Sequence, residues 1–170
     1  GGYLAHRLIQ AGHRVGILAR GAHLAAIRER GLTLADDHAD EETVWPAVAS
    51  NCGRDLGAHD LAIFAVKGQD LAGAIETARP VLARGGHALS FLNGVEGPGL
   101  LAEAFGRDRA LTGIARISAE IEAPGRVRKI TEFAGFTLGD IDGGQDRAPV
   151  PAIRAAFEAA GIRAPDCADV

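Results

Sequence analysis

Three polar residues stand directly behind short apolar runs: Arg20 behind 14–19, Lys67 behind 61–66 and Asn93 behind 87–92. Arginine presents a planar fork of donors that matches a phosphate or carboxylate. A lysine so placed can meet phosphate, ribose hydroxyls or an anionic substrate. The asparagine amide can donate to a carbonyl or hydroxyl and accept in return. Each also has a plainer explanation. Arg20 could be a solvated residue after a strand, Lys67 a side chain whose stem lies along a rim, and Asn93-Gly94 a turn chosen for backbone geometry. A further feature is Gly1-Gly2, which opens a helical pattern. The amides of a helix N-terminus can hold a phosphate there, although two glycines at a chain start are also what cloning leaves behind.

Other chemistry finds little support. His6, His13, His23, His38, His59 and His87 show no metal-ligand spacing. The acidic stretch 36–42 reads as a solvated turn. No serine sits in a nucleophile elbow, and neither cysteine has a partner histidine. Cys52 and Cys167 are far apart, as cytosolic thiols rather than a disulfide framework, and a cytoplasmic protein is expected. A net charge of −4 gives no reason to expect nucleic acid or an anionic membrane as partner. No apolar run reaches membrane-spanning length.

The elements that must position these residues follow from periodicity. Residues 3–10 form a helix with Leu4, Leu8 and Ala11 on one face, stopped at Gly12. Residues 14–19 are a short buried strand, and 22–30 a helix closed by Gly31. Residues 32–34 and 43–48 alternate as a hairpin around the acidic turn 36–40, with Pro46 marking the second as an edge strand. The clearest strand is 61–66, apolar on both faces. Asp70 is a candidate N-cap for a helix to about Leu82, which Pro80 weakens. Strand 87–92 precedes a helix at 99–105 with Pro98 in its first turn. Strand 111–115, a hairpin of 117–122 and 127–130, strand 136–138, helix 151–160 and a last strand 162–164 complete the chain.

Strands alternating with helices, each strand a short apolar run, predict a parallel sheet covered on both faces: an α/β, doubly wound, Rossmann-like domain with a β-hairpin extension. In such sheets ligands bind at the carboxyl ends of the strands. Arg20, Lys67 and Asn93 all fall there. A carboxylate at the end of the second strand would take the ribose diol of NAD. Ala19-Arg20-Gly21 offers an arginine instead, which suits the 2′-phosphate of NADP. The chain has no initiator methionine and begins at a helix start, so it reads as a fragment of a longer polypeptide. Residues 1–164 form the nucleotide-binding domain and 165–170 the start of a connection.

In its order of motifs the chain resembles the ketopantoate reductases, also called 2-dehydropantoate 2-reductases. Gly1-Gly2-Tyr3-Leu4-Ala5 resembles the end of that family's glycine fingerprint. Ala11-Gly12-His13-Arg14-Val15, Ala19-Arg20-Gly21-Ala22-His23-Leu24 and Ile27-Arg28-Glu29-Arg30-Gly31-Leu32 resemble its second strand and following helix. Phe64-Ala65-Val66-Lys67 resembles its strand-then-lysine, and Phe91-Leu92-Asn93-Gly94-Val95-Glu96 its asparagine-glycine-valine signature. Ile121-Glu122-Ala123-Pro124-Gly125-Arg126-Val127 resembles its hairpin.

The resemblance implies NADPH-dependent reduction of a 2-keto acid, 2-dehydropantoate, to pantoate for pantothenate synthesis. It places Gly1 and Gly2 against the pyrophosphate, Arg20 on the 2′-phosphate, Lys67 on the cofactor near the cleft, and Asn93 beside nicotinamide and substrate. The family's first strand and leading glycines are not in these residues. Neither is its C-terminal helical domain, which supplies the proton-donating lysine, most substrate contacts and the route to any homodimer. No residue of this chain is assigned as catalytic acid, and the segment alone is expected not to turn over. Two alternatives stay open: a relative acting on another carbonyl compound, and a non-catalytic nucleotide-sensing module.

Overall fold

The computed structural model describes residues 1–92 and 96–166. Along the chain run α1 (Gly2–Gln10), β1 (Gly16–Leu18), α2 (Gly21–Arg30), β2 (Leu32–Asp36), β3 (Ala39–Val44), β4 (Val48–Ser50), α3 (Gly53–Leu56), β5 (His59–Phe64), α4 (Leu71–Ala78), β6 (Leu82–Ser90), α5 (Glu96–Phe105), β7 (Ala110–Arg116), β8 (Ala119–Ala123), β9 (Arg126–Lys129), β10 (Gly135–Asp140) and α6 (Val150–Ala159). The fold class is as the sequence predicts: a Rossmann-like α/β domain with parallel strands and a hairpin extension.

The parallel part lies in two pieces. β1 pairs with β4, while β5, β6 and β7 are parallel neighbours and β10 adds antiparallel to β7. No ladder joins β1 to β5 among the described residues. In the doubly wound order the first strand belongs between these two. Successive residues feed opposite cores, as the two-residue period of a strand requires. Leu89 and Leu111 pack with Tyr3, Leu24, Ile27, Phe136 and Phe157 on one face. Ala88 and Ala110 pack with Phe64, Leu71, Ile75 and Leu101 on the other. The first core centres on aromatic rings. Tyr3 stacks on Phe136 at 5.9 Å, and Phe91 and Phe157 meet the same ring edge-on at 5.3 and 6.5 Å. Each such contact adds about 0.5–1.5 kcal/mol beyond burial.

Three sequence expectations are corrected. Residues 43–48 are not one strand. β3 ends at Val44, and after Pro46 the chain enters β4, where Ala47 N–H donates to Val15 O and starts the parallel ladder with β1. Proline cannot continue a ladder with its own nitrogen, so the run divides there between two sheets. The helix expected over 70–82 is α4 alone, preceded by a 3-10 turn at Gly68–Asp70 and finished at Ala78, before Pro80. Residues 162–164 form only an isolated bridge from Arg163 to Gly135, not a strand.

The two expected hairpins are one sheet. β2 pairs in parallel with β9, giving the order β3-β2-β9-β8. α1 packs against β2, β3 and β9 as well as the main core. That close packing needs glycine at position 2, because a Cβ there would come within 2.5 Å of Val127 Cγ2. Between β2 and β9, Lys129 Nζ donates to Asp36 Oδ2 at 2.7 Å, with the side chains only 8% and 15% exposed. Desolvation pushes the Asp36 carboxyl up. The Lys129 ammonium and the His38 amide, both bound to its oxygens, outweigh this and hold it below its ordinary 3.8.

Gly2→Ala is expected to destabilise the domain. Overpacking against a stiff β-branched side chain costs roughly 1–3 kcal/mol, more than the ~1 kcal/mol that alanine gains in a helix. In a Val127→Ala background the same change should be neutral or stabilising, which paired urea titrations would read. Lys129→Ala should cost on the order of 1–3 kcal/mol, because it removes the cation from a partly buried carboxylate. A carboxyl whose pKa folding depresses adds stability above its unfolded value and gives it up as pH falls through the folded one. Acid titration of the Asp36→Asn, Lys129→Met double variant should therefore show a shallower loss below about pH 3.8 than the parent.

Candidate functional site

Because both faces of the sheet are buried, polar chemistry is confined to the strand ends. At the carboxyl end of β1, Ala19 N–H donates to Ser50 O at 3.0 Å, which extends the β1–β4 ladder by one residue. The chain then leaves the sheet at Arg20, the N-cap residue of α2, with extended backbone angles. Gly21 follows with φ +55° and open space beside its α carbon. That conformation favours glycine and leaves the backbone approachable by a ligand.

The carboxyl end of β5 is the second part. Lys67 is exposed, caps the 3-10 turn Gly68–Asp70 through Asp70 N–H to Lys67 O at 2.9 Å, and its ammonium makes no hydrogen bond or ion pair among the described residues. The start of α1 is the third. A Cβ on Gly1 would lie 3.6 Å from that of Ala65, two residues before Lys67. Gly2, by contrast, faces Val127 and so closes the packing of helix on hairpin sheet.

These pieces meet. Arg20 Nη2 donates to Asp70 Oδ1 at 3.2 Å, across the break between β1 and β5. The structure thus gathers Gly1, Arg20 and Lys67 on one rim, together with the N-terminal ends of α1, α2 and α4. Helix N-termini carry partial positive charge and free amides, and two exposed cations reinforce them. The rim suits a phosphate-bearing ligand. Ser90, fully buried at the end of β6, accepts Leu92 N–H at 3.3 Å. Asn93, the third strand-end residue of the sequence reading, lies outside the described residues.

Asp70 is the member that sequence reasoning missed. It holds the N-cap position of α4, as expected, but makes no side-chain cap bond and spends its carboxylate on Arg20. Fifty residues separate the two in sequence, and no local pattern marks the pair. No group of three or more His, Cys, Asp or Glu among the described residues could hold a metal ion. No helix among them is long and apolar enough to cross a membrane.

The chain and its fold are similar to known proteins. The chain is 31% identical to a 2-dehydropantoate 2-reductase of Mesorhizobium japonicum over 186 aligned positions, covering 97% of this chain and 56% of that protein. Its fold matches the crystal structure of 2-dehydropantoate 2-reductase from Porphyromonas gingivalis W83 with a TM-score of 0.90 and 25% identity, over 99% of this chain and 61% of that one. A ternary structure of D-mandelate dehydrogenase with NADH and anilino(oxo)acetate shares the fold at a TM-score of 0.84 and 18% identity, over 98% of this chain and 53% of that one. The chain therefore spans little more than half the length of these relatives. The family model described as ketopantoate reductase PanE/ApbA matches residues 1–143, and the chain belongs to that family.

Proposed function

We propose that this chain is the nucleotide-binding part of an NADPH-dependent reductase that converts 2-dehydropantoate to pantoate. The observation that carries the reading is Arg20. It ends β1 where an NAD-selective site would have a carboxylate, stands 80% exposed on the rim, and uses only Nη2 in its bond to Asp70. Its Nε and Nη1 remain available for a 2′-phosphate. Lys67, without a partner among the described residues, would bind the cofactor closer to the cleft. The backbone at Gly1 and Gly2 and the N-terminal turn of α1 would take the pyrophosphate. In the sequence reading Asn93 holds the substrate carbonyl and the nicotinamide together.

A nicotinamide cofactor held by these residues would supply hydride chemistry toward the ketone carbon. The role of this chain's residues would be to hold and orient it against the ketone. The proton for the developing alkoxide is assigned to the helical second domain that the family resemblance implies, and with it most substrate contacts and any homodimer.

Two substitutions test the reading on the full-length protein. Arg20→Ala should abolish the preference for NADPH over NADH, a loss of roughly 1.5–3 kcal/mol for one charge-assisted phosphate contact. Titration of nucleotide fluorescence would read it, and an unchanged preference removes Arg20 from the site. Asn93→Ala should lower turnover by more than it weakens NADPH binding. The reverse pattern in steady-state kinetics and binding would reduce Asn93 to a structural turn residue.

A further inference from the structure

We propose that Asp70 is a specificity-determining residue of the nucleotide site, competing with a 2′-phosphate for the Arg20 guanidinium and so tempering the preference for the phosphorylated cofactor. This rests on the phosphate reading of Arg20 given above. Asp70 stands at the N-cap position of α4, where a carboxylate ordinarily accepts a backbone N–H of the first turn. It makes no such bond. Its carboxylate reaches instead to Arg20, across two strand ends that share no ladder.

The position of the pair decides its role. Arg20 is 80% exposed and Asp70 39%, so water screens their attraction and the pair adds little to fold stability. Its effect falls on a ligand. A phosphate arriving at Arg20 meets a guanidinium already turned toward Asp70, and must share it with that anion or displace it. Two anions on one fork repel each other. A nucleotide without the 2′-phosphate makes no demand on Arg20 and is indifferent to the pair. Asp70 thus acts selectively against the phosphorylated form. Asparagine at position 70 keeps the size of the side chain, its capping capacity and a hydrogen-bond acceptor for Arg20, and removes only the charge.

The test is calorimetric titration of the full-length protein with adenosine 2′,5′-bisphosphate and with adenosine 5′-monophosphate, for the parent, Asp70→Asn, Arg20→Ala and the double variant. Fluorescence titration would repeat it with NADPH and NADH. Asp70→Asn is expected to tighten the bisphosphate about two- to fivefold, the range of an exposed ion pair, and to leave the monophosphate unchanged. The gain should vanish in the Arg20→Ala background and shrink as salt is raised toward 1 M. Weaker or unchanged bisphosphate binding by Asp70→Asn overturns the proposal, as does a full gain without Arg20. The two readings fail separately. If Arg20→Ala selectively weakens the bisphosphate while Asp70→Asn does nothing, only the role of Asp70 falls. If Arg20→Ala has no selective effect, the phosphate reading falls and takes this inference with it.

Discussion

Burial of β6 on both faces is the constraint from which the rest of the domain follows. Ala88 and Leu89 are wholly inaccessible and point to opposite sides of the sheet. One side must be covered by α4 and α5, the other by α1, α6 and the aromatic group of Tyr3, Phe91, Phe136 and Phe157. A sheet covered in this way leaves little room for polar side chains along its length; Thr137 and Ser90 are buried exceptions. Polar groups collect where the strands stop, and the helices that cover the sheet begin at those same points. The concentration of helix N-termini, Arg20 and Lys67 on one rim is thus a by-product of satisfying the apolar faces.

The hairpin sheet solves a second problem. α1 buries Tyr3 and Leu4 toward the main sheet but also presents His6 and Gly2 to β2, β3 and β9. His6 is fully buried, and its Nε2 donates to Glu42 O at 3.0 Å, while burial holds its pKa below the ordinary 6.5. The contact between Gly2 and Val127 sets how closely the sheet can lie on the helix, and the Lys129–Asp36 pair ties its two hairpins together. Since α1 begins at the rim, this packing also fixes where its first amides point. The hairpin extension therefore supports the rim that carries Arg20 and Lys67 without belonging to it.

Residue types and periodicity sufficed for much of this. The apolar runs of β5 and β6, the stops at Gly12 and Gly31 and the antiparallel pair β8–β9 carry local signals that tertiary context did not override. Arg20 and Lys67 were legible for the same reason: each is a charged residue directly behind an apolar strand. β4 was not legible. It is three residues long and follows a proline, so its β-branched and small residues merged with those of β3. The last expected strand failed because a short apolar stretch can be buried by one bridge as well as by a ladder.

The sequence by itself determined the fold class and the family, and it set Arg20 and Lys67 directly behind apolar strands. These depend on local periodicity and on residue type at the ends of strands. Only the tertiary structure decided which strands share a sheet, because β2 and β9 lie about ninety residues apart and pair through register, not through any shared motif. It likewise decided that Gly2 serves packing against Val127, and that the Asp70 carboxylate turns away from its own helix. A hydrogen-bonding group takes the partner that folding brings nearest. For Asp70 that partner is Arg20, which the chain order gives no means of foreseeing.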